Sequence, residues 1–540
     1  MDKIFKDKNR DDEINRIFEA YDDDMDGKIP LSFLIEQVQM QGFNMLEEKY
    51  RFQEIQEYIN SLPLKSKSEI DCNHFAKLIE MTDGEFIEKA LLGKLIVPDF
   101  SEFTESIAKI YDIVEHVKDG ENASYIPQLA EVDSNLFSIA ACTVDGQQCD
   151  IGDSDTYFCV QSCSKAITYC IAVEESGIDY VHKHVGKEPS GASFNKNFLN
   201  PQNLPHNPMI NSGAIMTAAL VSPDLEMYKR YEYVKKFWSS LAGGARIGFQ
   251  NATYLSEKDT ASRNFCLGHM MKDAKAFPEN INLEEVLDFY FQICSLETTS
   301  KDMAIIAASL ANGGVCPMTK KRIFKEDTVN HCLSLMHSCG MYDYSGEWAY
   351  SVGIPAKSGV GGCVFLVVPK VMGICIFSPR LDSRGNSVRG IEASKLLLKE
   401  YTMHRYDNLK GVVTPFSHKV SLLQSMAEQK NEFTKDLLNA VADDDLHHLQ
   451  CILEEVKEEN FDINSIKDYD DVTPAHVACS FGHEEILHYL IELDAEFRDI
   501  TDKWGKSPLD RASEAGHKEV VKILHKLYHS DRDHSTGDRD

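Results

Sequence analysis

Two short stretches of this 540-residue chain hold side chains suited to acyl transfer. Ser162-Cys163-Ser164-Lys165 sets a hydroxyl and an amine three residues apart, neighbours on one helix face. A neutral lysine in that place can take the serine's proton and turn it into a nucleophile. Spacing alone discriminates little, because Ser106/Lys109 and Ser193/Lys196 repeat it. Context separates the first copy: Ala166, Ile167, Tyr169, Ile171 and Ala172 make its helix apolar. Desolvation in such a helix lowers a lysine pKa toward that of a base working at neutral pH. The second stretch, Lys357-Ser358-Gly359, opens a β-rich run far downstream.

The elements that must position these groups fall into a mixed order. Leu136 to Val144 reads as a strand ending in the hairpin turn Asp145-Gly146, with a partner strand behind it. Helical periodicity dominates from 162 to 340, as in Val234 to Leu241 and Leu283 to Ile293. Gly362 to Val368 and Val371 to Phe377 are then two strands broken at Pro369-Lys370. Strands, helices and strands again predict an α+β domain whose sheet is closed by both ends of its chain.

On the N-terminal side, Ile14, Ile17, Phe18 and Tyr21 form a helix feeding into Asp22-Asp23-Asp24-Met25-Asp26-Gly27, the start of an EF-hand loop. Asp22, Asp24 and Asp26 take ligand positions 1, 3 and 5, but position 12 is Phe33, so the bidentate carboxylate is missing and tight calcium binding is not expected. A second helical pair follows to about residue 95, around Glu69 to Glu80, with no ligand-like loop. At the other end, Thr473-Pro474-Ala475-His476-Val477-Ala478 resembles the ankyrin signature, Ser507 to Ala512 repeats it, and Leu437 to Leu453 is an earlier, degenerate copy. The resulting division is 1–115 EF-hand-like, 116–405 catalytic, 406–430 linker, 431–528 ankyrin repeats and 529–540 disordered tail.

Composition limits the partners. There are 56 Lys plus Arg against 86 Asp plus Glu, a net charge of −30, which repels phosphate backbones and argues against nucleic acid. No apolar stretch approaches the roughly 18 residues of a membrane span. The fifteen cysteines include no C-x-x-C pair and read as free thiols in a reducing compartment. Residues 1–12 mix four basic with four acidic side chains and resemble neither a signal nor a transit peptide, so the expected compartment is the cytosol.

Ser-x-x-Lys with a downstream Lys-Ser/Thr-Gly is the motif pair of penicillin-recognising serine hydrolases. Longer stretches carry a closer resemblance: Val160 to Lys165, Gly186 to Gly191, His206 to Ile215, Asp288 to Gln292, Leu333 to Tyr342 and Ala356 to Val360. Through them the chain resembles the animal kidney- and liver-type glutaminase family. That resemblance implies a central α+β domain of the serine β-lactamase and penicillin-binding-protein type, between an N-terminal all-α EF-hand-like domain and C-terminal all-α ankyrin repeats. It also implies hydrolysis of L-glutamine to L-glutamate and ammonia through a glutamyl-serine acyl-enzyme.

By the same resemblance, Ser162 is the nucleophile, Lys165 its base, and the N–H groups of Ser162 and Val360 the oxyanion hole. Tyr342 or Tyr290 relays a proton to the leaving ammonia. Glu257 partners the α-ammonium, and Tyr125, Asn211, Asn264 and Tyr290 hydrogen-bond the rest of the substrate. No metal or cofactor is implied. Phosphate activation runs in this family through the loop Phe194 to Leu199, where Asn197 replaces an apolar residue. Dimers and tetramers, and a mitochondrial address, are likewise family properties. Cys163, His206 and His337 take structural readings, and paired His447-His448 lies on a repeat helix. Two rivals are a hydrolase of lactams or other amides, which needs no Glu257, and a scaffold built on the ankyrin repeats around an inactive domain.

Overall fold

The computed structural model describes residues 14–22, 25–45, 51–63, 68–190, 199–407, 421, 426–454, 461–498 and 500–534. They form two compact units, one comprising residues up to Leu398 with Met403–Asp407 and one comprising Lys399–Thr402 with the chain from Asn408 onward.

The catalytic part of the first unit is built on a five-stranded antiparallel sheet in the order β4-β3-β10-β9-β8: Gln148–Gly152, Ser138–Thr143, Met372–Phe377, Cys363–Val368 and Ala356–Ser358. Two strands come from the start of the domain and three from its end, as the strand–helix–strand order predicted. Every residue of β3, β9 and β10 is buried. β9 is continuously apolar, β10 is apolar but for Gly373, and β3 is apolar between Ser138 and Thr143, as fits strands covered on both faces. Alternation sends Ala140, Cys142, Phe365, Cys375 and Phe377 into the main core. On that face, Gly373 lets helix Ser300–Ala311 approach so closely that an added Cβ would lie 2.1 Å from Ala308 N. Val364 points the other way, toward Gly390 of helix Val388–Glu400.

Helix Phe100–Glu115 also belongs to this frame. Tyr111 stacks on Phe137 with ring centroids 4.6 Å apart, and buried Arg389 donates to Glu115 O and Val117 O. This helix, which precedes the expected boundary at 115/116, packs on the sheet of the catalytic part. A second, three-stranded sheet, β5 (Phe158–Cys159), β7 (Leu296–Thr298) and β6 (Gly248–Phe249), was not expected; its strands are too short to show a period.

In the EF-hand-like part, β1 (Lys28–Pro30) pairs with β2 (Glu69–Asp71), with Ile29 opposite Ile70. Residues 69–71 are thus strand and not helix; the helix begins at Cys72, after Asp71 accepts the His74 N–H at 2.9 Å. The Asp22 carboxylate accepts the N–H groups of Asp26 and Gly27, which curls the loop, while Asp24 lies outside the described residues. Phe33 packs against Tyr21 and the local core, so position 12 is spent on burial. Buried Arg51 ties this part to the catalytic part by donating to Asp145 O, Gly146 O and Pro317 O.

In the second unit, helix pairs Met426–Ala442/Leu446–Glu454, Pro474–Phe481/Glu484–Glu492 and Pro508–Ala515/Lys518–His534 stack over a shared core that includes Leu437, Ala478, Leu490 and Leu524. Thr473 and Ser507 each close a capping box, and Gly482 and Gly516 end their helices at positive φ. His483 and His517 donate Nε2–H to Ala442 O and Ser480 O, linking each repeat to its predecessor. The last helix continues to His534, correcting the tail expected from 529; no Gly or Pro stops it earlier, and residues 535–540 lie outside the described residues. The linker expected at 406–430 lies mostly outside them too, and helix begins within it at Met426.

Candidate active site

β5 delivers the chain into a tight 3-10 turn, Gln161–Cys163, and then into helix Ser164–Ser176. Gln161 is held at φ +47, a conformation that costs a non-glycine residue ~1–3 kcal/mol. Bonds on either side hold it: Val160 N–H to Leu296 O at 2.8 Å and Cys163 N–H to Val160 O at 2.9 Å. The turn leaves Ser162 partly exposed and puts Lys165 one helical turn away. Residues 164–173 of this helix are all buried in the core, so Lys165 is only 1% exposed.

Lys165 Nζ lies 3.0 Å from Ser162 Oγ and donates to Asn211 Oδ1 at 2.6 Å. Asn211 in turn donates through Nδ2 to Asn264 Oδ1 at 3.2 Å. Desolvation, and then the positive charge of Lys357, push the Lys165 ammonium down to about 7. At this distance a neutral Nζ is able to accept the hydroxyl proton of Ser162, and the bond to Asn211 fixes where the amine points.

The Lys357-Ser358-Gly359 strand lies against this turn. A Cβ on Gly359 would stand 2.9 Å from Val160 O, and one on Gly361 would stand 2.6 Å from Cys159 O. Glycine on both sides of Val360 is what allows that approach. The turn is closed by Gly359 N–H to Cys363 O and Gly362 N–H to Gly359 O, which leaves the Val360 N–H outside its backbone bonds among the described residues. Lys357 is fully buried, donates to Ser358 O and Gly340 O, and holds Nζ 4.8 Å from the centroid of the Tyr342 ring.

The two tyrosines take different places. Tyr342 sits at φ +52; burial pushes its phenol well above the ordinary range, and the hydrogen-bonded Ser162 side chain works against that push. Tyr290 is also raised by burial, but its neighbours are the Cys294 thiol, Glu257 and Tyr125. Tyr125 exposes its ring while its hydroxyl donates to Glu257 Oε1 at 2.6 Å and reaches Gln161 Oε1 at 3.4 Å. Burial raises the Glu257 carboxyl; hydrogen bonds from Tyr125 and Gln161 and the charge of Lys165 oppose it.

Every residue expected at the site is therefore brought to one of two joined clusters, Ser162–Lys165–Asn211–Asn264–Tyr342–Val360 and Glu257–Tyr125–Tyr290. Sequence reading missed Gln161, Cys294 and Lys357; Gln161 and Lys357 stood inside the quoted motifs without a role. Cys163 is buried, with Sγ 3.7 Å from Lys357 O and its thiol pushed well up by burial, in keeping with its structural reading. His448 faces Asp436 from its repeat helix. The loop Phe194–Leu199 falls outside the described residues, except for Leu199.

A serine backed by a buried lysine at the base of such a sheet is the serine-hydrolase arrangement of the β-lactamase-like fold. A family model described as Glutaminase matches residues 120–406, and one described as Ankyrin repeats (3 copies) matches residues 437–534. The mitochondrial glutaminase liver isoform of Rattus norvegicus is 41% identical over 448 residues, 82% of this chain and 72% of the relative. The glutaminase of Nostoc sp. is 41% identical over 320 residues, 57% of this chain and 92% of its own length. The solved structure of the probable glutaminase ybaS is 36% identical, with a TM-score of 0.52 over 55% of this chain and 96% of its own. The chain belongs to the glutaminase family. It is a hydrolase that converts L-glutamine to L-glutamate and ammonia, and it carries C-terminal ankyrin repeats.

Proposed function

We propose that the hydrolysis runs through Ser162, with each side chain in the following role. Ser162 Oγ attacks the side-chain amide carbon as its proton passes to Lys165 Nζ. The N–H groups of Ser162 and Val360 receive the negative charge on the carbonyl oxygen. Collapse breaks the C–N bond; the proton held on Lys165 returns to the leaving nitrogen through Tyr342, whose hydroxyl neighbours Ser162. Ammonia departs and a glutamyl-serine ester remains. Water then gives its proton to Lys165 and attacks the ester, releasing glutamate and restoring the serine.

Glu257 receives the α-ammonium, with Tyr125, Tyr290 and Gln161 setting its carboxylate, and Asn211 and Asn264 hold the polar end. The observation that carries this reading is the 3.0 Å contact between Ser162 Oγ and a lysine 1% exposed. A structure of the enzyme called Mglu, 38% identical with a TM-score of 0.51, is described as its glutamate form, which supports a product site on this frame. The deciding experiment is glutamate and ammonia release by Ser162→Ala beside the parent protein. Equimolar products lost in a folded variant support the role, and a near-parental rate removes it. Trapping the ester with hydroxylamine tests the intermediate separately.

The groups named supply every step, so no cofactor is proposed. Phosphate is proposed as an activator, acting at the 194–199 loop and measured as the rate with and without added phosphate. The assembly proposed is a dimer or tetramer, testable by sedimentation. The names of the rat and mouse relatives support mitochondrial residence over the cytosol expected from sequence, which cell fractionation tests. A protein partner for the ankyrin repeats completes the reading.

A further inference from the structure

Away from the catalytic serine, a cleft of about 390 Å3 opens between helix Met227–Leu241 and the segment Thr319–Ile323. Tyr233, Phe237 and Ile323 form its apolar wall. Phe237 is fixed there by stacking on Phe324 at 5.5 Å and by edge contact with Tyr233 at 5.2 Å, while the Tyr233 hydroxyl is engaged by Glu175. At the helix end, Gly244 contributes open space, since a Cβ on it would meet nothing within 4 Å.

The polar side of the cleft is cationic. Lys236, Lys321 and Arg322 line it, and none of them has a carboxylate partner among the described residues. Arg322 donates to Gly313 O and Phe324 O, which fixes its side chain without neutralising it. Adjacent lysines behave differently: Lys235 pairs with Glu232, Lys320 with Asp83 and Glu85, and Lys325 with Glu174. In a chain of net charge −30, where carboxylates outnumber cations, these three cations converge on one apolar cleft and give it a local positive charge. The volume lies within the ~300–1,000 Å3 of small-molecule sites, which pair apolar walls with a few placed polar groups.

We propose that this cleft binds a small organic anion with an apolar body, its charged group held by Lys236, Lys321 and Arg322 and its body lying on Phe237, Tyr233 and Ile323. Such a ligand matches both halves of the lining. A neutral apolar molecule leaves the cations unanswered, and an inorganic anion leaves the aromatic wall wet. The segment that carries Lys321 and Arg322 also carries Lys320, which is anchored to the EF-hand-like part through Asp83 and Glu85.

The test uses the full chain and octanoate, with 1-octanol as the neutral counterpart, in calorimetric titrations at low and high salt. The variants are Lys236→Glu, Lys321→Glu and the pair together; both side chains are exposed, and matching thermal unfolding checks the fold. The expected result is one saturable octanoate site, weakened ~10-fold or more in the double variant and by salt, with octanol at least ~10-fold weaker and saturating L-glutamine without effect. Absence of saturation up to ~10 mM, equal affinity in the double variant, or octanol binding as well as octanoate overturns it. Displacement by L-glutamine overturns it in favour of the catalytic site. Loss of self-association in the double variant without any octanoate binding overturns it in favour of a second copy of the chain as the occupant.

Discussion

The acid limb of the pH–rate profile is where burial of Lys165 becomes measurable. A lysine at its ordinary value of 10.5 leaves roughly one molecule in three thousand neutral at pH 7. At about 7, the value to which desolvation and Lys357 bring it, half of the molecules carry a competent base, a gain of ~10³. Lys165 loses its proton as pH rises, so kcat/KM rises with pH and levels off above neutrality. Between pH 5.5 and 8 the neutral fraction grows ~30-fold, and ammonia release at low glutamine should follow it. Lys357→Met removes the second cause and moves the limb to higher pH, whereas Lys357→Arg keeps the charge and leaves it nearly in place. The groups facing Lys357 are Lys165, Tyr342 and the thiols of Cys163, Cys339 and Cys363; Glu257 faces Lys165. Glu257→Gln therefore checks that the limb belongs to the lysine, and it should persist. A rate still climbing at pH 9, or a limb unmoved in Lys357→Met, would refute the reasoning.

The unfolded chain holds a proton on Lys165 between about pH 7 and 10.5 that the folded chain does not, so wild-type stability gained from this group rises across that window. Lys165→Met should accordingly stabilise the fold at pH 7 by on the order of a few kcal/mol, less so near pH 10, in denaturant titrations. Arg51→Ala strands three carbonyl acceptors and removes a guanidinium 4.1 Å from the Phe86 ring; a loss of about 2–4 kcal/mol is expected, and a loss under ~0.5 would show that the bridge is idle. Glu257→Gln should raise KM for glutamine ~10- to 100-fold while changing kcat less, because an ammonium loses its anion. Equal falls in kcat with KM unchanged would move Glu257 from binding to chemistry.

Much of the molecule was legible locally. Ser162 and Lys165 meet because residues three apart share a helix face, whatever surrounds them. The ankyrin caps Thr473 and Ser507 act within four residues, and the runs that became β3, β9 and β10 read as strands from β-branched and apolar residues between turn signals. Matching motifs pointed to the candidate site residues, yet only the fold shows that Asn211 bonds both Lys165 and Asn264. Residues 69–71 read as helix because a three-residue strand has no period of its own; only pairing with Lys28–Pro30 defines it. That helix Phe100–Glu115 packs on the catalytic sheet was not legible, since its partners Phe137 and Arg389 are remote in sequence.

Sequence by itself determined the reaction class, because the long motifs from Val160 to Val360 mark the glutaminase family, whereas the Ser162–Lys165 spacing alone recurs elsewhere in the chain. Tertiary structure decided how that chemistry is tuned. The pKa of Lys165 depends on a core that excludes water and on a second lysine nearly two hundred residues away. Likewise, Tyr342 faces Ser162 while Tyr290 faces Cys294 and Glu257, a division that no local pattern encodes. Desolvation and charge act through space, between side chains that only the folded chain brings together.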